Sequence, residues 1–195
     1  FRMVPFGDLI ERVRQPVDVL QHSMYDQIGI RSHGRGVFHK EAITGEQLGE
    51  KAVFQVEPDC LIFNIIFAWE GAVAVTTSRE VGRVASHRFP MFRVNGDEVD
   101  LEFLRLFLTS KRGLHMLRLA SPGGAGRNRT LSLQELGKSL VPLPDVHVQR
   151  RIARMAKLLD RAASCLDELI EAKRRLKRAL LQQRLGRCMH RLRVD

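Results

Sequence analysis

Three groups of polar residues stand where building a core does not call for them. The first lies in Gly29-Ile-Arg-Ser-His-Gly-Arg-Gly36, which places Arg31, His33 and Arg35 on a glycine-rich loop, with His39 and Lys40 just beyond. Guanidinium groups on such a loop can enter a groove, pair bidentately with guanine or anchor on phosphate. The second is Arg127-Asn128-Arg129, at the end of the glycine-rich stretch 121–129. Asn suits adenine and Arg suits guanine, so this run has base-reading chemistry. The third joins Trp69-Glu70 with His87-Arg88. An ordinary polar turn has the same composition as the first loop. Trp69, the single tryptophan, follows an apolar strand and suits either a core anchor or a surface at the sheet's end.

Arrangements for covalent chemistry fail on spacing. Gly137-Lys138-Ser139 ends like a phosphate-binding loop, but Ser132 occupies the place of the leading glycine. Gly123-Gly124-Ala125-Gly126 neither follows a strand nor opens a helix at the dinucleotide-binding spacing. Glu171-Ala172-Lys173, the triplet a metal-dependent nuclease would use, falls inside a heptad helix where solvated charges are expected. The seven histidines show no ligand spacing with cysteine or carboxylates. Cys60, Cys165 and Cys188 form neither a CxxC pair nor an even framework, which fits a reducing, cytoplasmic setting. The sequence therefore predicts no catalytic residue, no metal ligand and no cofactor.

The elements that must position the polar groups divide at the last quarter of the chain. Of 195 residues, 32 are Lys or Arg and 22 Asp or Glu, a net charge of +10. Residues 1–147 hold 18 basic and 17 acidic side chains, residues 148–195 hold 14 and 5. Such a basic segment attracts polyanions or is a solvated helix face rich in arginine. From Val148, alternating steps of four and three give Ile152, Met155, Leu159, Ala162, Leu166, Leu169, Lys173, Leu176 and Leu180, with only Lys173 polar. That period is a coiled-coil seam. No Gly or Pro occurs between Val148 and Leu185, and Asp145 stands at an N-cap position after Pro142 and Pro144. Upstream, residues 52–56, 60–67, 72–77 and 89–94 have strand composition, and 140–143 is extended. Asp100 caps a helix with the face Leu101, Leu104 and Leu108, followed by a helix over 111–119. No apolar run approaches the ~20 residues needed to span a bilayer. A first residue other than Met leads us to expect a trimmed chain.

The segment Leu140-Val-Pro-Leu-Pro-Asp-Val-His-Val-Gln-Arg-Arg-Ile-Ala153 resembles the junction between recognition domain and long helix in the specificity subunits of type I restriction-modification systems, with Val148 replacing an acidic residue. Asp59-Cys-Leu-Ile-Phe-Asn64 with Ala68-Trp-Glu-Gly-Ala72 is similar to that family's strand-turn, and Ala85-Ser-His-Arg-Phe-Pro90 to a further segment. The glycine-rich stretch 121–129 matches in position and type. The resemblance implies a non-catalytic DNA-recognition subunit. Each recognition domain of the family reads half of a split target, and the long helices space the halves and dock methyltransferase subunits that use S-adenosylmethionine. A full-length member has two domains and two helices, whereas this chain has one of each.

The sequence thus predicts an α+β fold, a mixed β-rich target recognition domain over 1–144 followed by a long coiled-coil helix over 145–195. Arg31, His33, Arg35, Lys40, Arg127, Asn128 and Arg129 are the candidate contacts to double-stranded DNA, with Trp69, His87 and Arg88 behind them. Ile152, Met155, Leu159, Leu166, Leu169, Leu176 and Leu180 are the candidate seam of an antiparallel homodimer. A methyltransferase subunit and a motor-nuclease subunit are the expected protein partners in a cytoplasmic, phage-defence complex without membrane contact. Two other readings stay open. One is a recognition module of a fused methyltransferase-nuclease, and the other a coiled-coil scaffold that binds nucleic acid without specificity.

Overall fold

Short strands dominate the first hundred residues. The computed structural model describes residues 1–123 and 129–191, with side chains described through residue 182. In chain order the elements are β1 (Arg2–Pro5), β2 (Ile10–Val13), β3 (Met24–Tyr25), β4 (Ile28–Ile30), β5 (Val37–His39), β6 (Ile43–Thr44), α1 (Gly45–Leu48), β7 (Val53–Gln55), β8 (Leu61–Phe63), β9 (Val73–Val75), β10 (Val84–Ser86), β11 (Met91–Val94), α2 (Leu101–Thr109), α3 (Lys111–Leu119), α4 (Leu133–Lys138), β12 (Leu140–Leu143) and α5 (Val146–Arg191). This is the α+β class with a long C-terminal helix that the sequence predicts.

The central sheet is antiparallel with the order β2-β11-β8-β9. Its period of two separates the two apolar clusters. Leu61, Phe63, Val73 and Phe92 face the cluster built with α2, α3 and α4, while Ile62, Ala74 and Met91 face the one containing Ile28, Ile30 and Phe54. In the first cluster Phe63 stands edge-on between Phe6 and Phe92, at centroid distances of 6.2 and 5.9 Å. Such edge-to-face pairs add to the stabilisation from burial. Two-stranded pairs surround the sheet: β1 with β12, β3 with β6, β4 with β5, and β7 with β10.

Local chemistry sets the element ends. Asp100 accepts from the Phe103 amide and caps α2, and Ser110 caps α3 through the Gly113 amide. The strand expected over 60–67 stops at Phe63, because the Asn64 carboxamide oxygen accepts from the Ile66 amide and bends the chain. Likewise β11 starts at Met91, after Pro90, which has no N–H to donate.

The chain divides into two compact units, Phe1–Ala153 and the residues from Arg154 onward. The first unit takes in the opening of α5, and Gln149 accounts for this. Its side chain is fully buried. Its oxygen accepts from the Asp100 amide at 2.9 Å, and its nitrogen donates to the carbonyls of Glu98 and Pro144 at 3.0 and 2.8 Å. One carboxamide therefore ties the start of α5 to the cap of α2. In the second unit, Met155, Leu159, Leu166, Leus 169 and 176, and Leu180 are all at least half exposed in the single chain.

Candidate nucleic-acid interface

The polar loop 31–36 is held by backbone. The Arg31 amide donates to the Gly36 carbonyl at 3.0 Å and closes the loop on itself. The His33 and Gly34 amides donate to the carbonyls of Glu70 and Gly71, both at 2.9 Å. The Ser32 hydroxyl donates to the Glu70 carboxylate at 2.8 Å. These bonds clasp the loop to the 3-10 turn Ala68–Glu70. His33 takes a φ of +61°, a left-handed conformation uncommon outside glycine and held here by its neighbours. Gly71 caps the turn at φ +79°, and a Cβ there would lie 2.9 Å from Leu114. The left-handed φ is what favours glycine here, since the Leu114 methyl can shift.

Around this clasp, three cations sit over aromatic rings. The Arg31 guanidinium lies 4.9 Å from the Phe38 centroid, the Lys40 ammonium 5.7 Å from Phe89, and the Arg129 guanidinium 5.4 Å from Trp69. A cation held over a ring face gains electrostatically and keeps fewer rotamers, so less freedom is lost when it meets a phosphate or base. Gly29 makes the first seat possible. It faces Phe38 across the β4–β5 pair, and a Cβ on it would lie 2.3 Å from that ring.

The structure thus brings Arg31, His33, Lys40, Trp69 and Arg129 together, with Arg35 exposed on the same loop. Trp69 is half-buried beside the clasp; its indole N–H donates to the Ile66 carbonyl, and its own carbonyl accepts from Arg118. His87 and Arg88 are exposed and lead into Phe89, the seat of Lys40. Arg127 and Asn128 lie outside the described residues. Sequence reasoning missed Phe38, Phe89 and Arg118, and it named Glu70 without its clasp to the loop. A glycine facing an aromatic across a hairpin was the available signal for Phe38; nothing local signalled the Glu70 clasp.

Burial, with Glu57 adding to it, pushes the Cys60 thiol up to about 11. Among the described residues no three His, Cys, Asp or Glu side chains converge to hold a metal ion. Glu80 is buried; burial works against its charge, but hydrogen bonds from His39 and from the Thr77 hydroxyl and amide outweigh that and hold its carboxyl below the ordinary range. No helix of the described residues is long and apolar enough to cross a membrane.

No protein-family model matches the chain, and no curated protein matches it in sequence. Solved structures do match. The HsdS subunit from Thermoanaerobacter tengcongensis superposes with a TM-score of 0.69 at 19% identity, over 86% of this chain and 44% of that one. This chain shares its fold with HsdS. A second match, from work on complex assembly and conformational transition of the type I R-M system, gives a TM-score of 0.67 at 18% identity, over 88% of this chain and 45% of that one. The chain therefore spans less than half the length of the HsdS-like chains it matches.

Proposed function

We propose that this chain is a DNA-sequence-recognition subunit of a type I restriction-modification system, with no catalytic step of its own. The observation that carries the reading is the clasped loop with its aromatic-seated cations, Arg31 on Phe38, Lys40 on Phe89 and Arg129 on Trp69. Cations fixed on a rigid turn suit phosphate anchoring, and their free edges suit base contacts. The likeness to HsdS supports the same assignment by fold. In this reading Arg35, His33, Arg127 and Asn128 complete the DNA contacts, and His87 and Arg88 flank them.

The exposed apolar residues of the second unit serve assembly. Leu158 and Ile170 flank the predicted seam and are exposed as well, so the apolar face is wider than a strict two-residue stripe. A second copy of the chain, antiparallel, covers part of that face and a methyltransferase subunit docks beside it, with a motor-nuclease subunit completing the cytoplasmic complex. Two-fold pairing makes the target an inverted repeat with an unread gap.

The test is selection of bound sequences from a random duplex library by the full chain, with and without a candidate methyltransferase subunit. An enriched inverted repeat with a fixed gap supports the reading in full. A single enriched half-site supports recognition but overturns the homodimer. No enrichment with the methyltransferase present overturns sequence recognition and favours a scaffold that holds nucleic acid by charge.

A further inference from the structure

Between the β4–β5 hairpin and the Trp69 turn lies a cleft of about 290 Å³. That volume is at the small end for ligand sites and suits a single ring system better than a whole nucleotide. Half-buried Phe38, Phe67 and Phe89 line it, and Lys40 stands at its edge over Phe89. Its polar groups are few. One oxygen of the Glu70 carboxylate accepts from the Ser32 hydroxyl. The Asn64 oxygen is occupied by the Ile66 amide, which leaves the Asn64 nitrogen as a donor. The cleft therefore offers aromatic walls, a carboxylate acceptor, an amide donor and cations beside it.

We propose that this cleft holds one unstacked base of the bound DNA and selects for an exocyclic amino group through Glu70, an inference that rests on the DNA-recognition reading above. Adenine presents an amino group beside a ring-nitrogen acceptor, and cytosine does the same. Guanine presents two adjacent N–H donors and a carbonyl. Each edge complements a carboxylate with a neighbouring amide donor. Thymine presents a single N–H between two carbonyls, which set oxygen against the Glu70 oxygens. A base reaches the cleft only after leaving the stack, which is easiest at an unpaired position. Stacking against aromatic side chains repays that step. Lys40 and Arg31, held on Phe89 and Phe38, are placed to meet the flanking phosphates.

The test uses the full chain and DNA hairpins that differ only in one unpaired A, C, G or T in the stem, with a fully paired stem as reference, by competition anisotropy. Bulged A, C and G are expected to bind roughly tenfold tighter than bulged T, the discrimination of one good base contact. Glu70→Gln keeps an oxygen for the Ser32 hydroxyl but replaces an acceptor with a donor, so the order should invert in favour of T. Gly29→Ala drives Phe38 from its place, since the added Cβ overlaps the ring, and should bring the bulged-to-paired ratio to one. Deoxynucleoside monophosphates, followed by saturation-transfer NMR, separate a DNA base from a free nucleotide. Binding of dAMP or dCMP as tight as that of the bulged hairpins would overturn the DNA-base assignment. Equal affinity for all four bulges and the paired stem overturns the cleft proposal alone. Failure of every hairpin to bind while the library-selected duplex binds overturns the cleft proposal alone, and failure of that duplex as well overturns the DNA reading.

Discussion

Replacing Gln149 with Ala removes three hydrogen bonds at once and leaves an amide and two carbonyls without their partner. A buried polar group left unpaired costs about 1–3 kcal/mol. Water can reach the exposed Glu98 and the half-buried Pro144, which lowers their share. A total of about 3–5 kcal/mol follows, a large part of the roughly 5–15 kcal/mol available to a domain. With a urea slope of about 2 kcal/mol/M, the midpoint should fall by about 1.5–2.5 M. Trp69, the single tryptophan and part of the first unit, reports the transition by its fluorescence. Gln149→Glu should be at least as damaging near neutral pH, because a carboxylate would face the carbonyls of Glu98 and Pro144, and should partly recover on acidification as the acid regains a donor. Arg150→Ala, one residue on and exposed, should shift the midpoint little. A midpoint for Gln149→Ala indistinguishable from that of Arg150→Ala would refute the reasoning.

Other perturbations follow from the same geometry. The Glu80 carboxyl is held below its ordinary value by hydrogen bonds from His39 and Thr77, so these bonds stabilise the fold above the unfolded carboxyl pKa near 4.5 and lose that effect as pH falls through the lower folded value. The stability advantage of the wild type over Glu80→Gln should therefore be full near neutral pH and shrink in acid, measured by urea titration at stepped pH. Iodoacetamide at neutral pH should label exposed Cys165 and spare Cys60 until the chain is unfolded, read by peptide mass mapping. Leu159→Glu with Leu166→Glu should abolish self-association in sedimentation while Trp69 emission stays native; a dimer that survives both changes sinks the seam assignment.

What was legible in the sequence is local. Asp100 and the spacing of Leu101, Leu104 and Leu108 place α2, and α3 runs over the expected residues 111–119. Strands were found where β-branched residues cluster, but too long, because the Asx bend at Asn64 and the missing N–H of Pro90 end or delay them. The first fifty residues gave no elements, since two-residue strands such as Met24–Tyr25 carry no period and are fixed only by pairing with Ile43–Thr44. The candidate interface shows the same divide. Arg31, His33 and Lys40 were visible as residue types on a glycine-rich loop. The seat of Arg31 on Phe38 lies within the β4–β5 hairpin, whereas the seat of Lys40 on Phe89 and the clasp to Glu70 depend on contacts between distant stretches of chain.

The pairing of β1 with β12 has a consequence for how such a unit can be inherited. Arg2 lies opposite Leu143, so the strand that opens the first unit and the strand that closes it run side by side, about 5 Å apart. A unit whose two ends meet can be spliced between other elements, or exchanged for another of the same kind, through a single narrow doorway. The residues that seat the cations and line the cleft lie far along the chain from both ends. In the proposed reading, recombination at the doorway exchanges the residues that contact DNA and leaves the helix of the second unit untouched.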